Sequence, residues 1–112
     1  MSYKTIIVTA ESNGLGGFKD MIIDKQTIGF NPADTHHCLQ VSLTNLGLNG
    51  EYDVYVRPVN APQFITYVTQ ATEIDGVLLS NENYRFDAVK IVTRNTGLVA
   101  PVAYLTFFMA IR

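Results

Sequence analysis

The chain has 112 residues, of which 47% are hydrophobic and 11% aromatic, and its net charge is −2. This composition excludes an intrinsically disordered chain, and the length fits one folded domain. The eight lysines and arginines are spread along the chain. The sequence therefore shows no basic cluster of the kind that nucleic acid or a membrane surface attracts.

The N-terminal segment and the single cysteine indicate where the protein is made. Residues 1–8 lack the apolar core and the cleavage site of a secretory signal peptide. No apolar run reaches the roughly 20 residues that a membrane-spanning helix requires. Cys38 is the only cysteine, so it cannot form an intramolecular disulfide. We therefore expect synthesis in a cytoplasm.

β-Branched and aromatic residues dominate the chain and are interrupted at short intervals by Gly, Asn, Asp and Pro. This pattern predicts an all-β domain covering residues 1–112: a β-sandwich or jelly-roll-like barrel of eight or nine mostly antiparallel strands. The predicted strands are Tyr3–Thr9, Phe18–Ile23, Gln26–Phe30, Cys38–Thr44, Tyr52–Arg57, Phe64–Thr69, Gly76–Ser80, Phe86–Thr93 and Val102–Ile111. One connection, Thr69–Asp75, is a candidate for a short helix.

A hairpin is predicted in the middle of the chain. Apolar and polar residues alternate through Cys38–Thr44 and again through Tyr52–Arg57, which is the period of half-buried strands. Asn49-Gly50 lies between the two segments and favours the positive φ angles of a type I′ turn. The sequence therefore predicts that these two strands pair directly.

The C-terminal segment Val102–Ile111 is apolar at nine of its ten positions, with Thr106 the only interruption. A strand that is apolar on both faces requires cover on both faces, whereas a two-sheet sandwich covers one. Either a thick core or covering loop supplies that cover, or a subunit interface does. In the second case one parity should face the core and the other a partner. The candidate interface residues are Tyr104, Leu105, Phe107, Phe108, Met109 and Ile111.

Three patterns resemble chemical sites. In Asp34-Thr35-His36-His37-Cys38, alternate residues on a strand stand ~7 Å apart, too far to share a zinc ion, and no other Cys or His supplies a further ligand. Asn13-Gly14-Leu15-Gly16-Gly17 lacks the βαβ context of a dinucleotide-binding loop. The carboxylates are dispersed along the chain. We therefore predict a structural Cys38, no catalytic residue, no metal, no cofactor and no enzymatic activity.

Two phrases carry a family resemblance: Asn49-Gly50-Glu51-Tyr52-Asp53-Val54-Tyr55-Val56-Arg57-Pro58 and Phe86-Asp87-Ala88-Val89-Lys90-Ile91. Together with the stretch between them, they resemble the small auxiliary virion proteins of tailed bacteriophages. The resemblance implies a non-enzymatic protein that decorates or cements a capsid, usually as an oligomer. It carries over no functional residue, because these proteins have no catalytic signature.

These observations favour a structural assembly protein of a phage virion. Its expected partners are a second copy of the chain and a major capsid or other virion protein, with no nucleic acid and no membrane. The alternative is a carbohydrate-binding β-sandwich that uses its tyrosines and polar loop groups. A small β-barrel enzyme with carboxylate or histidine chemistry ranks last.

Overall fold

The computed structural model describes residues 2–29, 35–73, 75–80 and 85–109. These residues contain eight β-strands and one short helix. The all-β prediction is confirmed, with a strand count at the lower end of the expected eight or nine. The elements are β1 (Ser2–Thr9), β2 (Met21–Asp24), α1 (Lys25–Ile28), β3 (Thr35–Thr44), β4 (Glu51–Pro58), β5 (Ile65–Ala71), β6 (Val77–Ser80), β7 (Phe86–Arg94) and β8 (Val102–Met109).

The strands form four nested antiparallel pairs, β1 with β8, β2 with β7, β3 with β6, and β4 with β5. In addition β8 pairs with β3, and β7 pairs with β4. The result is two four-stranded sheets of order β1-β8-β3-β6 and β2-β7-β4-β5. A long hairpin rolled up in this way is the strand order of a jelly roll.

The core lies between the two sheets and follows the alternation that the sequence predicts. Alternate residues of β4, namely Tyr52, Val54 and Val56, are buried. Burial of each large apolar side chain contributes roughly 1.5–3 kcal/mol. Other buried apolar side chains come from β2, β3, β6, β7, β8 and the β3–β4 connection. They are Met21, Ile23, Val41, Leu43, Leu46, Val77, Phe86, Val89, Ile91, Ala103, Leu105 and Phe107.

Two predicted elements differ in the structure. Residues 25–28 form helix α1 instead of a strand, because the Asp24 side chain caps it by accepting hydrogen bonds from the amides of Gln26 and Thr27. Phe30, the end of that predicted strand, lies outside the described residues. The predicted helical connection at Thr69–Asp75 is also wrong, because β5 continues to Ala71 and a turn follows it.

The predicted hairpin is wrong as well, because β3 and β4 lie in different sheets. Residues 45–50 cross between the sheets, and the side chain of Leu46 is completely buried beneath the crossing. The left-handed residues are Asn45 and Gly47, with φ of 65° and 85°, rather than Asn49 and Gly50. A buried anchor in the connection prevents the tight two-residue turn that Asn-Gly alone would favour.

Glycine is required at position 50 by close packing rather than by a positive φ. A Cβ on Gly50 would lie 2.2 Å from the carbonyl oxygen of Leu46. We therefore expect Gly50→Ala to lower the free energy of unfolding by about 2–3 kcal/mol, since the backbone must shift. Gly97→Ala is the matched control, because its Cβ meets nothing within 4 Å. Chemical denaturation compares the two variants, and equal stability would contradict the packing argument.

Candidate interaction surface

Strand β8 lies between β1 and β3 and is hydrogen bonded on both sides. Its inward side chains Leu105 and Phe107 are 0% exposed and belong to the core. The interface prediction is therefore wrong for these two residues, because the facing sheet already covers them. Tyr104 has the opposite parity and is half-buried on the outer face, so its interface role stays a prediction.

The remaining candidates for the interface lie at the end of the strand. Phe108 and Met109 belong to β8, where they face Tyr3 and Ser2 in the register with β1, but their side chains are not among those described. Ile111 lies outside the described residues. An interface role for these three residues stays a prediction.

The outer face of the β1-β8-β3-β6 sheet carries no charge across ten positions on three strands. The register places Ile7 beside Tyr104, and Tyr104 beside Ser42. Ile7 is 62% exposed. We call this surface the uncharged face; its residues are Tyr3, Thr5, Ile7 and Thr9 of β1, Val102, Tyr104 and Thr106 of β8, and Gln40, Ser42 and Thr44 of β3.

Hydroxyl groups on the uncharged face bond partly to one another. The Oγ1 atoms of Thr5 and Thr106 lie 3.2 Å apart across the β1–β8 pair. Such hydroxyl groups accept or donate hydrogen bonds at little desolvation cost compared with an ion. The face therefore combines exposed apolar area with neutral polar groups, which is the chemistry of a protein-binding surface.

The outer face of the β2-β7-β4-β5 sheet is charged, and its charges are paired. Arg94 Nη2 donates to Glu51 Oε2 at 3.0 Å, and the same guanidinium pairs with Asp53. Asp53 is 5% exposed and also accepts a hydrogen bond from the Gln70 amide at 3.0 Å. Burial alone would raise the pKa of the Asp53 carboxyl, but the hydrogen bonds from Arg94 and Gln70 outweigh it and hold that pKa below its usual value.

Cations cover aromatic rings on the same charged face. Lys90 Nζ lies 4.8 Å from the ring centre of Tyr55 and 5.1 Å from that of Phe64. Arg57 lies 5.6 Å from the Phe64 ring, and its Nε donates to Asp87 Oδ1 at 2.9 Å. A sugar ring stacking on Tyr55 or Phe64 would have to displace these cations. The aromatic residues of this face are therefore a poor platform for carbohydrate.

The hollow nearest to this charged face is open and polar. It has a volume of about 440 Å³ and is lined by Asp24, Lys25, Gln26, Arg57 and Asp87. Two of its charged groups are already engaged, since Arg57 pairs with Asp87. Asp24 caps helix α1. These contacts give Arg57, Asp87 and Asp24 structural partners, and the five lining residues include no nucleophile paired with a base.

The predicted assignments for the Asp34–Cys38 segment are not decided by the structure. Asp34 lies outside the described residues, as do the side chains of His36, His37 and Cys38. In the part of the chain that the structure describes, no three His, Cys, Asp or Glu side chains are grouped as metal ligands. The described part likewise contains no helix with the length and apolarity needed to cross a membrane.

Strand β1 contributes to the uncharged face, which the interpretation of the sequence missed. Its outward residues include Tyr3 and Ile7, both exposed, while Ile6 and Val8 pack against the core. The signal was present, because apolar residues occupy both parities of β1, as they do in β8. A strand with two apolar faces was predicted only for β8, because its apolar run is longer.

Comparison of the chain with protein-family models, with curated proteins and with solved structures found no match. The chemistry of the two outer faces is therefore the basis for inferring function.

The Asp53–Arg94 pair predicts a pH dependence of stability. Asp53→Asn should lower the free energy of unfolding near neutral pH by about 2 kcal/mol, because Arg94 loses a buried charged partner. Since folding lowers the pKa of Asp53, the stabilisation is complete above the unfolded-state pKa of about 4 and is lost as the pH falls through the folded-state pKa.

Urea unfolding of wild type and Asp53→Asn, measured from neutral to strongly acidic pH, checks this prediction. The gap between the two proteins should narrow as the pH falls. Asp20→Asn, at an exposed carboxylate, is the control and should leave stability within about 0.5 kcal/mol of wild type. A gap that stays constant with pH would contradict the role assigned to the Asp53 carboxylate.

Proposed function

We propose that this protein is a non-enzymatic assembly module of a tailed-phage particle, of the decoration or cement type. In this proposal it self-associates through the uncharged face and contacts a major capsid or other virion protein. The observation that carries the proposal is the contrast between the two sheets. One outer face pairs its arginines with carboxylates, while the ten described positions of the other present Ile7, Tyr104 and neutral polar groups without any charge.

The uncharged face suits burial because no ion would lose its hydration. The centres of protein interfaces are depleted in charged residues and enriched in tyrosine. Burial of an ion without a partner costs several kcal/mol, so the charged face would be the more costly surface to cover. Apolar area such as that of Ile7 contributes free energy when it is covered.

The size of the uncharged face fits a second copy of the chain. The sheet has four strands, and β1 and β8 have eight residues each. With strands spaced about 4.8 Å apart and a rise of about 3.3 Å per residue, the outer surface of the whole four-stranded sheet measures roughly 500 Å², and the uncharged face occupies three of its four strands. Two copies in contact over the whole sheet would bury on the order of 1,000 Å², which reaches the lower limit for a specific interface. A two-fold contact, in which both copies use the same face, satisfies this geometry.

Two further observations support a virion component. Jelly-roll topology occurs in viral capsid proteins and in lectins. The phrases within Asn49–Pro58 and Phe86–Ile91 resemble auxiliary virion proteins, and both phrases lie on the charged sheet, in β4 and β7. In this proposal the protein is made in the host cytoplasm and is then incorporated into the particle.

Carbohydrate binding at the uncharged face is the second candidate. Tyr3 and Tyr104 there are accompanied by the hydroxyl and amide groups of Ser42 and Gln40, which could donate to sugar hydroxyls. A lectin would bind glycans without needing to self-associate. Glycan binding by a protein that stays monomeric, lost in Tyr104→Ala, would favour this candidate over assembly.

The self-association prediction uses one exposed side chain on each face. Ile7→Asp should convert the assembled protein to a smaller species with an unchanged circular dichroism spectrum, because a charge enters the contact without a partner. Ile22→Asp is the matched control, since Ile22 is 47% exposed on the outer face of the other sheet. Light scattering after size-exclusion chromatography measures both masses. A wild-type protein that is monomeric at the highest attainable concentration would overturn the proposal.

The virion part of the proposal has a separate test. The protein should be present at fixed stoichiometry in purified particles, as measured by quantitative mass spectrometry. Its gene should lie near genes for a major capsid or portal protein. A protein that is abundant in infected cells but absent from purified particles would rule out a virion component while leaving self-association intact.

A further inference from the structure

A second candidate interaction surface, separate from the uncharged face, lies at the end of the sandwich where β1, β3, β5 and β7 end. Hydrogen bonds join the connections that meet there. The Ala10 amide donates to the Pro101 carbonyl at 2.9 Å, and the Asn45 amide donates to Glu73 Oε1 at 3.0 Å. Residues 10–20, 45–50, 72–73 and 95–101 thus form one continuous surface, which we call the loop end.

Three leucines project from the loop end almost fully into solvent. Leu15, Leu48 and Leu98 are 90%, 100% and 98% exposed, and each comes from a different connection. Each leucine directly follows a glycine. Single exposed apolar residues are ordinary, but a group of them at one end of a small domain indicates an interaction site.

Two of these leucines, Leu15 and Leu48, are mounted on defined turns. Asn13 Oδ1 accepts hydrogen bonds from the amides of Leu15 at 2.8 Å and Gly17 at 3.1 Å. Leu48 lies in a turn closed by the Gly50 amide and the Gly47 carbonyl, and the completely buried Leu46 anchors that turn. Exposed side chains held in this way lose less conformational entropy when a partner covers them.

A hollow lies beside one of the projecting leucines. It has a volume of about 580 Å³ and is lined by Gly47, Leu48, Gly50, Thr72 and Glu73. The loop end therefore carries both projecting apolar groups and a recess that can receive one. In a two-fold contact between identical chains, the projecting groups of each copy would meet the recess of the other.

Two carboxylates of the loop end, and Asp75 beside it, have partners within their own chain, whereas Asp20 is exposed. Glu11 Oε2 lies 3.8 Å from Lys19 Nζ, and Glu73 accepts the Asn45 amide. Asp75 Oδ2 accepts the Thr72 amide at 2.8 Å. The net charge of this end is nevertheless negative, so two such ends repel each other weakly. Salt should screen that repulsion and strengthen a contact between like ends.

The area of the loop end also fits a second copy. Perpendicular to its longest dimension the molecule measures 28 × 23 Å. An ellipse of that size covers about 500 Å², so two copies in contact over this full cross-section would bury on the order of 1,000 Å², again at the lower limit for a specific contact.

We propose that the loop end is a second self-association surface, at which Leu48 and Leu98 of one copy pack against the hollow beside Leu48 of another. The inference deepens the proposed assembly function and adds to the uncharged face a contact along the strand direction. The two contacts use separate residues, so each can be removed without the other.

The experiment measures the mass of four full-length proteins by sedimentation: wild type, Ile7→Asp, Leu48→Gln with Leu98→Gln, and all three changes together. Wild type should exceed a dimer, the two partial variants should be dimers, and the combined variant should be a monomer. Glutamine adds no charge at positions that are already exposed. Val59→Gln, at an exposed site in the β4–β5 connection, is the control and should assemble like wild type.

Several results would overturn the loop-end contact. An Ile7→Asp protein that is monomeric at every concentration removes the loop-end contact and leaves the uncharged face in place. An Ile7→Asp protein with the mass of wild type would instead contradict self-association through the uncharged face. The Ile7→Asp dimer should tighten about tenfold between low and high salt, and weakening would contradict a contact between like-charged ends.

A lipid surface is the competing occupant of the loop end. Flotation of the Ile7→Asp protein with phosphatidylcholine vesicles, abolished by Leu48→Gln with Leu98→Gln, would assign the leucines to membrane contact. That result would overturn the proposed pairing of two loop ends. No flotation, together with a dimer that depends on the leucines, supports the pairing.

Discussion

The position of β8 between β1 and β3 determines how the rest of the molecule can be used. The first and last strands of the chain pair over their full length, from Ser2 opposite Met109 to Thr9 opposite Val102. Flanking strands on both sides partly cover the outer residues Val102, Tyr104 and Thr106, which are half-buried without any second layer. An internal strand can therefore be apolar on both faces more readily than an edge strand, since its neighbours shield it.

The outer faces of the two sheets differ in their charge. On one sheet Arg94 joins Glu51 and Asp53 across the β4–β7 pair, so buried charge is compensated within the chain. Separating one of these ions from the others leaves an uncompensated buried charge. Binding of another molecule that broke these ion pairs would therefore cost free energy. The other sheet carries no such network at its ten outward positions, so covering it requires only the loss of water from neutral groups.

The sequence was sufficient for the local features of the fold. Alternation located β3 and β4, because burial of every second side chain leaves a direct trace in the residue pattern. It was insufficient for pairing partners, which depend on contacts distant in sequence. The Asn49-Gly50 signal describes a local turn, and nothing local reveals that Leu46 is buried or that β3 and β4 enter different sheets.

For the candidate surfaces as well, features set by neighbouring residues were predictable, and features set by contacts distant in sequence were not. The parity of Tyr104 was predictable, but whether Tyr104 or Leu105 faces outwards required the position of the second sheet. The pairing of Asp53 with Arg94 joins residues 41 positions apart, so the contrast between the faces could not be derived from composition. The leucines of the loop end each follow a glycine, but a residue pattern in a connection does not reveal which side chains project into solvent.

Two contacts on different sides of one small domain would have a geometric consequence. The uncharged face lies parallel to the strands, whereas the loop end lies across them, so the two proposed contacts extend an assembly in different directions. Two-fold contacts whose axes intersect at right angles close into a tetramer, and axes that do not meet produce an open chain. Each contact would bury only on the order of 1,000 Å², which is weak for an isolated pair. Repetition along an assembly raises the effective concentration of each contact, so two weak surfaces suit a protein that functions within a larger array.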